Sequence, residues 1–259
     1  MRPWIIAHRG ARDEAPENTG AALRRASALA IDGVEFDVQM SSDGVAVLFH
    51  DRTLMKINKS RRRIADLTQQ HLEQIDWGGW YSTTFAGEPL TTLEKALAIL
   101  RHCSNICIEI KSNPTDRETG HVPRLTDRVV ELLNRPGMLD TKNRCLILSF
   151  DPDVLARAHR LDDRLRYILN LPNKNPLRQE PETGHLWAVG IRIGDLSAQL
   201  VQWAHGRNLK VFTYTCNGPR QVGKALRTGV DGIITDKPAW LIDCFQSGRF
   251  SAALRGNKL

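Results

Sequence analysis

Val34-Glu35-Phe36-Asp37-Val38-Gln39-Met40-Ser41-Ser42-Asp43-Gly44-Val45-Ala46-Val47-Leu48-Phe49-His50-Asp51 sets two β-type runs on either side of a short polar link. The first run, Val34–Val38, places apolar side chains at alternate positions and carboxylates between them. That is strand periodicity, with Glu35 and Asp37 on one side. Only Ser41–Gly44 separates it from Val45–Phe49, and Asp-Gly in so short a link signals a hairpin. The second run is therefore expected to lie antiparallel to the first. If Ser42 pairs with Val45, Asp37 lies opposite His50; if Met40 pairs with Val45, Glu35 does. Either register puts Glu35, Asp37 and His50 on one face.

Short apolar runs recur at Trp4–Ala7, Val34–Val38, Ile106–Ile110, Cys145–Phe150, Leu165–Leu171, Ala188–Ile193, Lys210–Thr215 and Gly232–Thr235. Between most of them lie segments with apolar spacing of three and four: Ala21–Ala30, Leu93–Leu100, Leu125–Leu133, Val154–Leu161, Leu200–His205 and Val222–Leu226. Such alternation implies right-handed βαβ units and a parallel sheet. Eight units predict an α/β fold closed as a TIM (β/α)8 barrel. The 259 residues suit one such domain over residues 1–259, since a barrel needs about 250. The Val45–Phe49 strand reads as a β-hairpin extension after strand 2. Residues 52–90 read as a small insertion, helical around Thr68–Ile75 and rich in Gly and Trp at Trp77-Gly78-Gly79-Trp80; a connection of that length is typically functional. Pro172–Gly184 reads as a loop with at most a short helix.

The formal charge is +7, with 41% hydrophobic and 25% charged residues. An excess of Lys and Arg attracts anions such as phosphate esters. The densest run, Lys59-Ser60-Arg61-Arg62-Arg63, reads as a solvated loop, and the basic residues form no aromatic-interleaved stripe of the kind that binds nucleic acid. Five scattered cysteines (103, 107, 145, 216 and 244) lack paired zinc-site spacing. The start Met-Arg-Pro-Trp-Ile-Ile has no apolar leader core, and no stretch approaches the length of a membrane span. A cytoplasmic protein is the natural expectation.

In a TIM barrel the chemistry gathers at the C-terminal ends of the strands. Those ends offer His8-Arg9-Gly10, Glu35 and Asp37, His50-Asp51 from the hairpin, Glu109 and Lys111, Tyr214 and Asn217, and Asp236-Lys237-Pro238. Glu35, Asp37 and Glu109 sit in otherwise apolar strands. Burying unpaired carboxylates is costly, so they call for a cation. Oxygen ligands point to one hard divalent ion, Mg²⁺ or Ca²⁺, with Mn²⁺ as an alternative. His8 and His50 suit proton transfer near neutrality. Arg9 and Lys111 supply fixed positive charge for phosphoryl oxygens. The other histidines (71, 102, 121, 159, 185 and 205) read as surface residues.

The chain resembles the glycerophosphodiester phosphodiesterase family, whose barrels are PLC-like. The matches are Ala7-His8-Arg9-Gly10, Pro16-Glu17-Asn18-Thr19, Val34–Val38 running through Asp43-Gly44 to Phe49-His50-Asp51-Arg52-Thr53-Leu54, and Asp66-Leu67-Thr68. Gly87-Glu88-Pro89-Leu90, Leu93-Glu94, Ile108-Glu109-Ile110-Lys111 and Asp231–Pro238 continue the pattern in collinear order. The resemblance implies metal binding by Glu35, Asp37 and Glu109, acid–base catalysis by His8 and His50, and phosphate binding by Arg9 and Lys111. It implies a supporting role for the segment with Asn18, and an insertion that covers the glycerol end of the substrate; Asn217, after strand seven, reads as a second supporting residue. Departures fall elsewhere. Tyr214 stands where the family usually has Trp, Ser41-Ser42 replaces Thr-Lys before Asp-Gly, and Lys59–Arg63 replaces a Gly-rich turn.

The activity so implied is metal-dependent hydrolysis of a small-molecule glycerophosphodiester to sn-glycerol 3-phosphate and an alcohol, in glycerol and lipid metabolism. Either water or the substrate's own hydroxyl is the attacker, and either histidine is the base. A lysophospholipase D-type activity is the alternative, with Trp77, Trp80, Tyr81 and Phe85 lining an acyl groove. A barrel that binds phosphate esters without catalysis is a third reading, disfavoured because every expected charged position is filled.

Overall fold

A computed structural model describes residues 2–172, 182–251 and 253. Eight parallel strands close into a barrel: β1 (Trp4–His8), β2 (Gly33–Met40), β4 (Ile106–Ile110), β5 (Cys145–Ser149), β6 (Arg166–Asn170), β7 (Ala188–Arg192), β8 (Lys210–Tyr214) and β9 (Gly232–Thr235). Neighbours pair in chain order, and β1 pairs with both β2 and β9, which shuts the ring. The short strand β3 (Ala46–Leu48) runs antiparallel along β2. This is the TIM barrel that the strand–helix alternation predicts.

Each expected helical segment forms a helix, from Gly20–Ser27 to Pro219–Thr228, and a further one, Pro238–Gln246, follows β9. Local chemistry starts them. Thr19, Thr92, Asp151 and Ser197 cap orphan N–H groups, and Pro152, Pro219 and Pro238 open first turns where no N–H is needed. Within β2, Val34, Phe36 and Val38 pack outward against the helices. The intervening Glu35 and Asp37 consequently point into the barrel mouth. Ile106, Ile108 and Ile110 do the same in β4 and turn Glu109 inward. A separate inner core of Ile6, Cys107, Leu146, Ile168 and Phe212, with others, fills the barrel below the rim.

The hairpin differs from both expected registers. Val38 pairs with Leu48 and Met40 with Ala46, so the ladder is offset by one residue from either reading and would set His50 opposite Phe36. The turn explains the offset. Ser41 N–H donates to Val45 O (3.0 Å), Gly44 N–H donates to Ser41 O (3.1 Å), and Gly44 adopts φ +87°. These mark a three-residue loop ending in a left-handed glycine, rather than a two- or four-residue one. Continued pairing would have aimed His50 at the helix layer. The strand instead ends at Leu48, with a last ladder bond from Phe49 N–H to Asp37 O (3.1 Å). Buried Gln39 then donates from Nε2 to Phe49 O (3.0 Å) and Asp51 O (2.8 Å), holding the backbone on both sides of His50 as the chain leaves the sheet.

Residues 49–90 wrap over one side of the rim around their own core of Phe49, Leu54, Ile64, Leu72, Trp77 and Leu90. Short helices at Met55–Asn58 and Gln69–Glu73 lie in this stretch. Residues 173–181 of the expected Pro172–Gly184 loop lie outside the described residues.

Candidate active site

At the C-terminal rim Glu35, Asp37 and Glu109 each offer an oxygen within 4.8 Å of the others, and all three are buried. Two parallel pairings hold them in place: His8 sits beside Glu35, and Asp37 beside Glu109. Around them stand two cations. Arg9 Nε lies 3.2 Å from Asp37 Oδ2, and its Nη1 donates to Glu17 Oε1 at 3.0 Å. Lys111 Nζ donates to Glu109 Oε1 at 2.7 Å and lies 3.3 Å from Asp37 Oδ1. Arg9 adopts φ +57° and its backbone N–H donates to Glu35 Oε2 (3.1 Å). A left-handed conformation is uncommon for a non-glycine residue, and such strain clusters at functional sites.

Three carboxylates against two cations leave an excess of buried negative charge. Burial, reinforced by Asp37 and Glu109, pushes Glu35 well above the usual carboxylate range. Burial also raises Glu109, opposed by Lys111. At Asp37 burial is outweighed by Lys111, Arg9 and His50 together, and its carboxyl is held well below the usual range. Glu35 Oε1 is buried and has no hydrogen-bond partner among the described residues. An orphaned carboxylate oxygen beside two more carboxylates fits a hard divalent cation, whose ligands are oxygens.

Both histidines converge on this cluster. His8 Nε2 lies 3.9 Å from Glu35 Oε2, while its Nδ1 lies 2.6 Å from Asp236 Oδ1. His50 stands close enough to Asp37 for that charge to act on it, and its Nδ1 lies 2.7 Å from Asp51 Oδ1. A carboxylate on Nδ1 fixes the neutral ring as the Nδ1–H tautomer and leaves Nε2 as the proton acceptor. Burial lowers the pKa of both rings, against the opposing pull of Asp236 on His8 and of Asp37 on His50.

Asn18, at φ +58°, clamps Asp37 twice: its Nδ2 donates to Oδ2 (2.9 Å) and its Oδ1 accepts from the Asp37 N–H (3.1 Å). Asn217 does the equivalent for Asp236, through Nδ2 to Oδ2 (2.6 Å) and Oδ1 from the Asp236 N–H (2.8 Å). Tyr214 ends β8, with Phe150 edge-on to its ring at 6.1 Å; its hydroxyl is buried without a partner among the described residues. All ten residues singled out from the sequence thus lie at this one end of the barrel. Gln39 was not among the strand-end residues, and Asp51 and Asp236 stood there without a role. The last two had a signal, a carboxylate at the same strand end as a histidine or next to one in the chain.

Of the remaining histidines, His71, His102 and His205 are exposed as expected. His121, His159 and His185 are half-buried instead, the last two stacked at 5.4 Å. Trp77 packs into the core under the 49–90 segment, edge-on to Phe49. Trp80, Tyr81 and Phe85 form a row of edge contacts, with Lys56 over the Trp80 ring at 4.2 Å. No helix among the described residues is long and apolar enough to cross a membrane.

Fold and rim define a class, a (β/α)8-barrel enzyme with an acidic triad flanked by two carboxylate-backed histidines. Known proteins narrow it. The model of the glycerophosphoryl diester phosphodiesterase family matches residues 8–240. The glycerophosphodiester phosphodiesterase of Caldanaerobacter subterraneus subsp. tengcongensis is 30% identical over 255 residues, 96% of this chain and all of that protein. That of Bacillus altitudinis is 26% identical, covering 90% of this chain and 94% of its own. The structure of an Oleispira antarctica phosphodiesterase in complex with the product sn-glycerol-3-phosphate superposes with a TM-score of 0.81 at 26% identity, over 94% of this chain and 97% of that one. The chain belongs to the glycerophosphoryl diester phosphodiesterase family.

Proposed function

We propose that this enzyme hydrolyses glycerophosphodiesters to sn-glycerol 3-phosphate and an alcohol, with a divalent cation in the acidic triad and a pair of histidines moving the protons. The observation that carries the reading is the triad itself, with its orphaned Glu35 Oε1 and a histidine on either side. Glu35, Asp37 and Glu109 would hold the ion. When bound, it supplies Lewis acidity that offsets phosphoryl charge and lowers the pKa of the attacking group, water or the substrate's own hydroxyl.

The chain's own side chains account for the other tasks. Arg9 and Lys111, now shared among carboxylates, bind phosphoryl oxygens by charge-assisted hydrogen bonds. His8 and His50 present Nε2 to the reacting centre, one to accept a proton from the attacking group and the other to return one to the leaving alkoxide. Asp236 and Asp51 steady the imidazolium that forms in turn. Tyr214 forms one wall of the substrate pocket. We read the chain as one barrel domain, with the segment around 52–90 covering the glycerol end.

A coupled assay of glycerol 3-phosphate release over a panel of head groups tests this reading. Stripping the metal should abolish turnover, and Mg²⁺, Ca²⁺ or Mn²⁺ should restore it. Full activity in the stripped protein would overturn the metal assignment. A wide preference for lysophosphatidylcholine over glycerophosphocholine would replace the substrate with a lysophospholipid.

A further inference from the structure

We propose that Asn170, together with Gly190, is the positioning device for the third metal carboxylate, Glu109; this rests on the metal reading above. Each carboxylate of the triad has a donor without charge of its own. Glu35 Oε2 accepts the Arg9 backbone N–H, and Asp37 Oδ2 accepts Asn18 Nδ2. For Glu109 that donor is Asn170, whose Nδ2 lies 3.2 Å from Oε2. Asn170 ends β6, two strands away from Glu109, and is only 3% exposed.

The amide orientation is decided by chemistry. A carboxylate oxygen only accepts, so the –NH₂ must face it and the carbonyl oxygen must face away. Asn170 Oδ1 consequently points toward β7, where Gly190 pairs directly with it. A Cβ at position 190 would lie 2.0 Å from that oxygen, far inside contact distance. Gly190 sits in mid-strand, where glycine costs conformational entropy and packs nothing. The space it leaves is the space the Asn170 carbonyl fills.

The arrangement matters because Glu109's other partner is shared. Lys111 holds Oε1 while also lying 3.3 Å from Asp37. Once a phosphate draws on the same ammonium, Lys111 no longer restrains Glu109 alone. Asn170 keeps the carboxylate aimed at the ion without cancelling its charge. Hydrogen bonds of this kind to metal ligands are worth on the order of 10- to 100-fold in metal affinity.

The test titrates Mn²⁺ into the metal-stripped full chain by calorimetry, with thermal unfolding in chelator recorded alongside. Asn170→Ala should bind Mn²⁺ roughly 10- to 100-fold more weakly, and excess Mn²⁺ should restore its kcat. Gly190→Ala, which keeps the asparagine but crowds it, should weaken Mn²⁺ in the same direction. In the Asn170→Ala background the Gly190→Ala change should cost nothing further, because the clashing oxygen is gone. Should Asn170→Ala unfold in chelator, Gly190→Ala carries the test. Mn²⁺ affinity within about twofold of the parent for a folded variant, the usual additivity error, would overturn the inference alone. A parent protein that binds none of Mn²⁺, Mg²⁺ and Ca²⁺ would overturn the metal reading and this inference with it.

Discussion

Two layers of the same barrel, one residue pair apart along each strand, have opposite chemistry. In the lower layer the inward positions are Ile6, Cys107, Ile168 and Phe212, closed off by Trp4 and Trp187. The Trp4, Trp187 and Phe212 rings contact one another at 5.7–5.8 Å. Two residues further up, the same strands present His8, Glu109, Asn170 and Tyr214. The lower layer gains free energy by leaving water. The upper layer gives some back, since it collects carboxylates whose charges repel and leaves Glu35 Oε1 and the Tyr214 hydroxyl without partners among the described residues. Stability and chemistry are thus divided between adjacent layers, and the dry lower layer is what holds the strained upper one.

That division is open to direct test, and its sharpest test is at the top. Alanine at His8 or His50 should lower kcat by about 10²- to 10⁴-fold, the usual worth of general acid–base catalysis, with the unfolding midpoint unchanged. Retention of full activity by His8→Ala, measured as glycerol 3-phosphate release, would remove it from the acid–base pair. The converse experiment is Phe212→Ala, which should cost about 3–5 kcal/mol of stability and lower Tm by roughly 10 °C in a chain of this size. A Tm close to the parent's would show that the lower layer is not the anchor.

Glu35→Gln probes the tension within the upper layer. Because burial beside Asp37 and Glu109 raises the Glu35 pKa, the folded stripped protein binds that proton more tightly than the unfolded chain does. The stability it contributes is fully present below the ordinary glutamate pKa and is lost as pH rises through the raised one. In chelator, the parent's denaturation midpoint should therefore fall with pH across that window. Glu35→Gln should flatten the fall and raise the midpoint at neutral pH while weakening Mn²⁺ binding. A lower neutral-pH midpoint for Glu35→Gln would show that no such tension exists. The smallest effect is expected from Tyr214→Phe. Its hydroxyl has no partner to lose among the described residues, so Tm should hold. KM should rise by roughly three- to tenfold if the substrate supplies the missing hydrogen bond, which is worth about 0.5–1.5 kcal/mol. An unchanged KM would separate the hydroxyl from the substrate.

The barrel and most of the rim were legible in the chain because period-two alternation is local. Val34, Phe36 and Val38 on one face dictate that Glu35 and Asp37 share the other, whatever the rest of the molecule does. Caps such as Thr19 and Asp151 and first-turn prolines likewise act within a few residues of themselves. The hairpin shows where local reading stops. Asp43-Gly44 announced a turn, but whether two, three or four residues would form it depended on how Ser41, Gly44 and Val45 closed their hydrogen bonds. His50 nevertheless faces the triad, for a different reason from strand alternation: Gln39 holds the chain where it departs from the sheet.

By itself, then, the sequence determined an eight-unit α/β barrel and brought three carboxylates, two histidines and two cations to its C-terminal rim. Spacing along a strand sets which face a side chain takes, and the strand order sets which end it occupies. Only the tertiary structure decided the partners across the ring: Asp236 behind His8, Asn217 behind Asp236, and Asn170 against Glu109 with Gly190 clearing its space. Those contacts join residues 19 to 228 positions apart. They exist because closing the barrel sets the ends of distant strands side by side, a relation that no local pattern encodes.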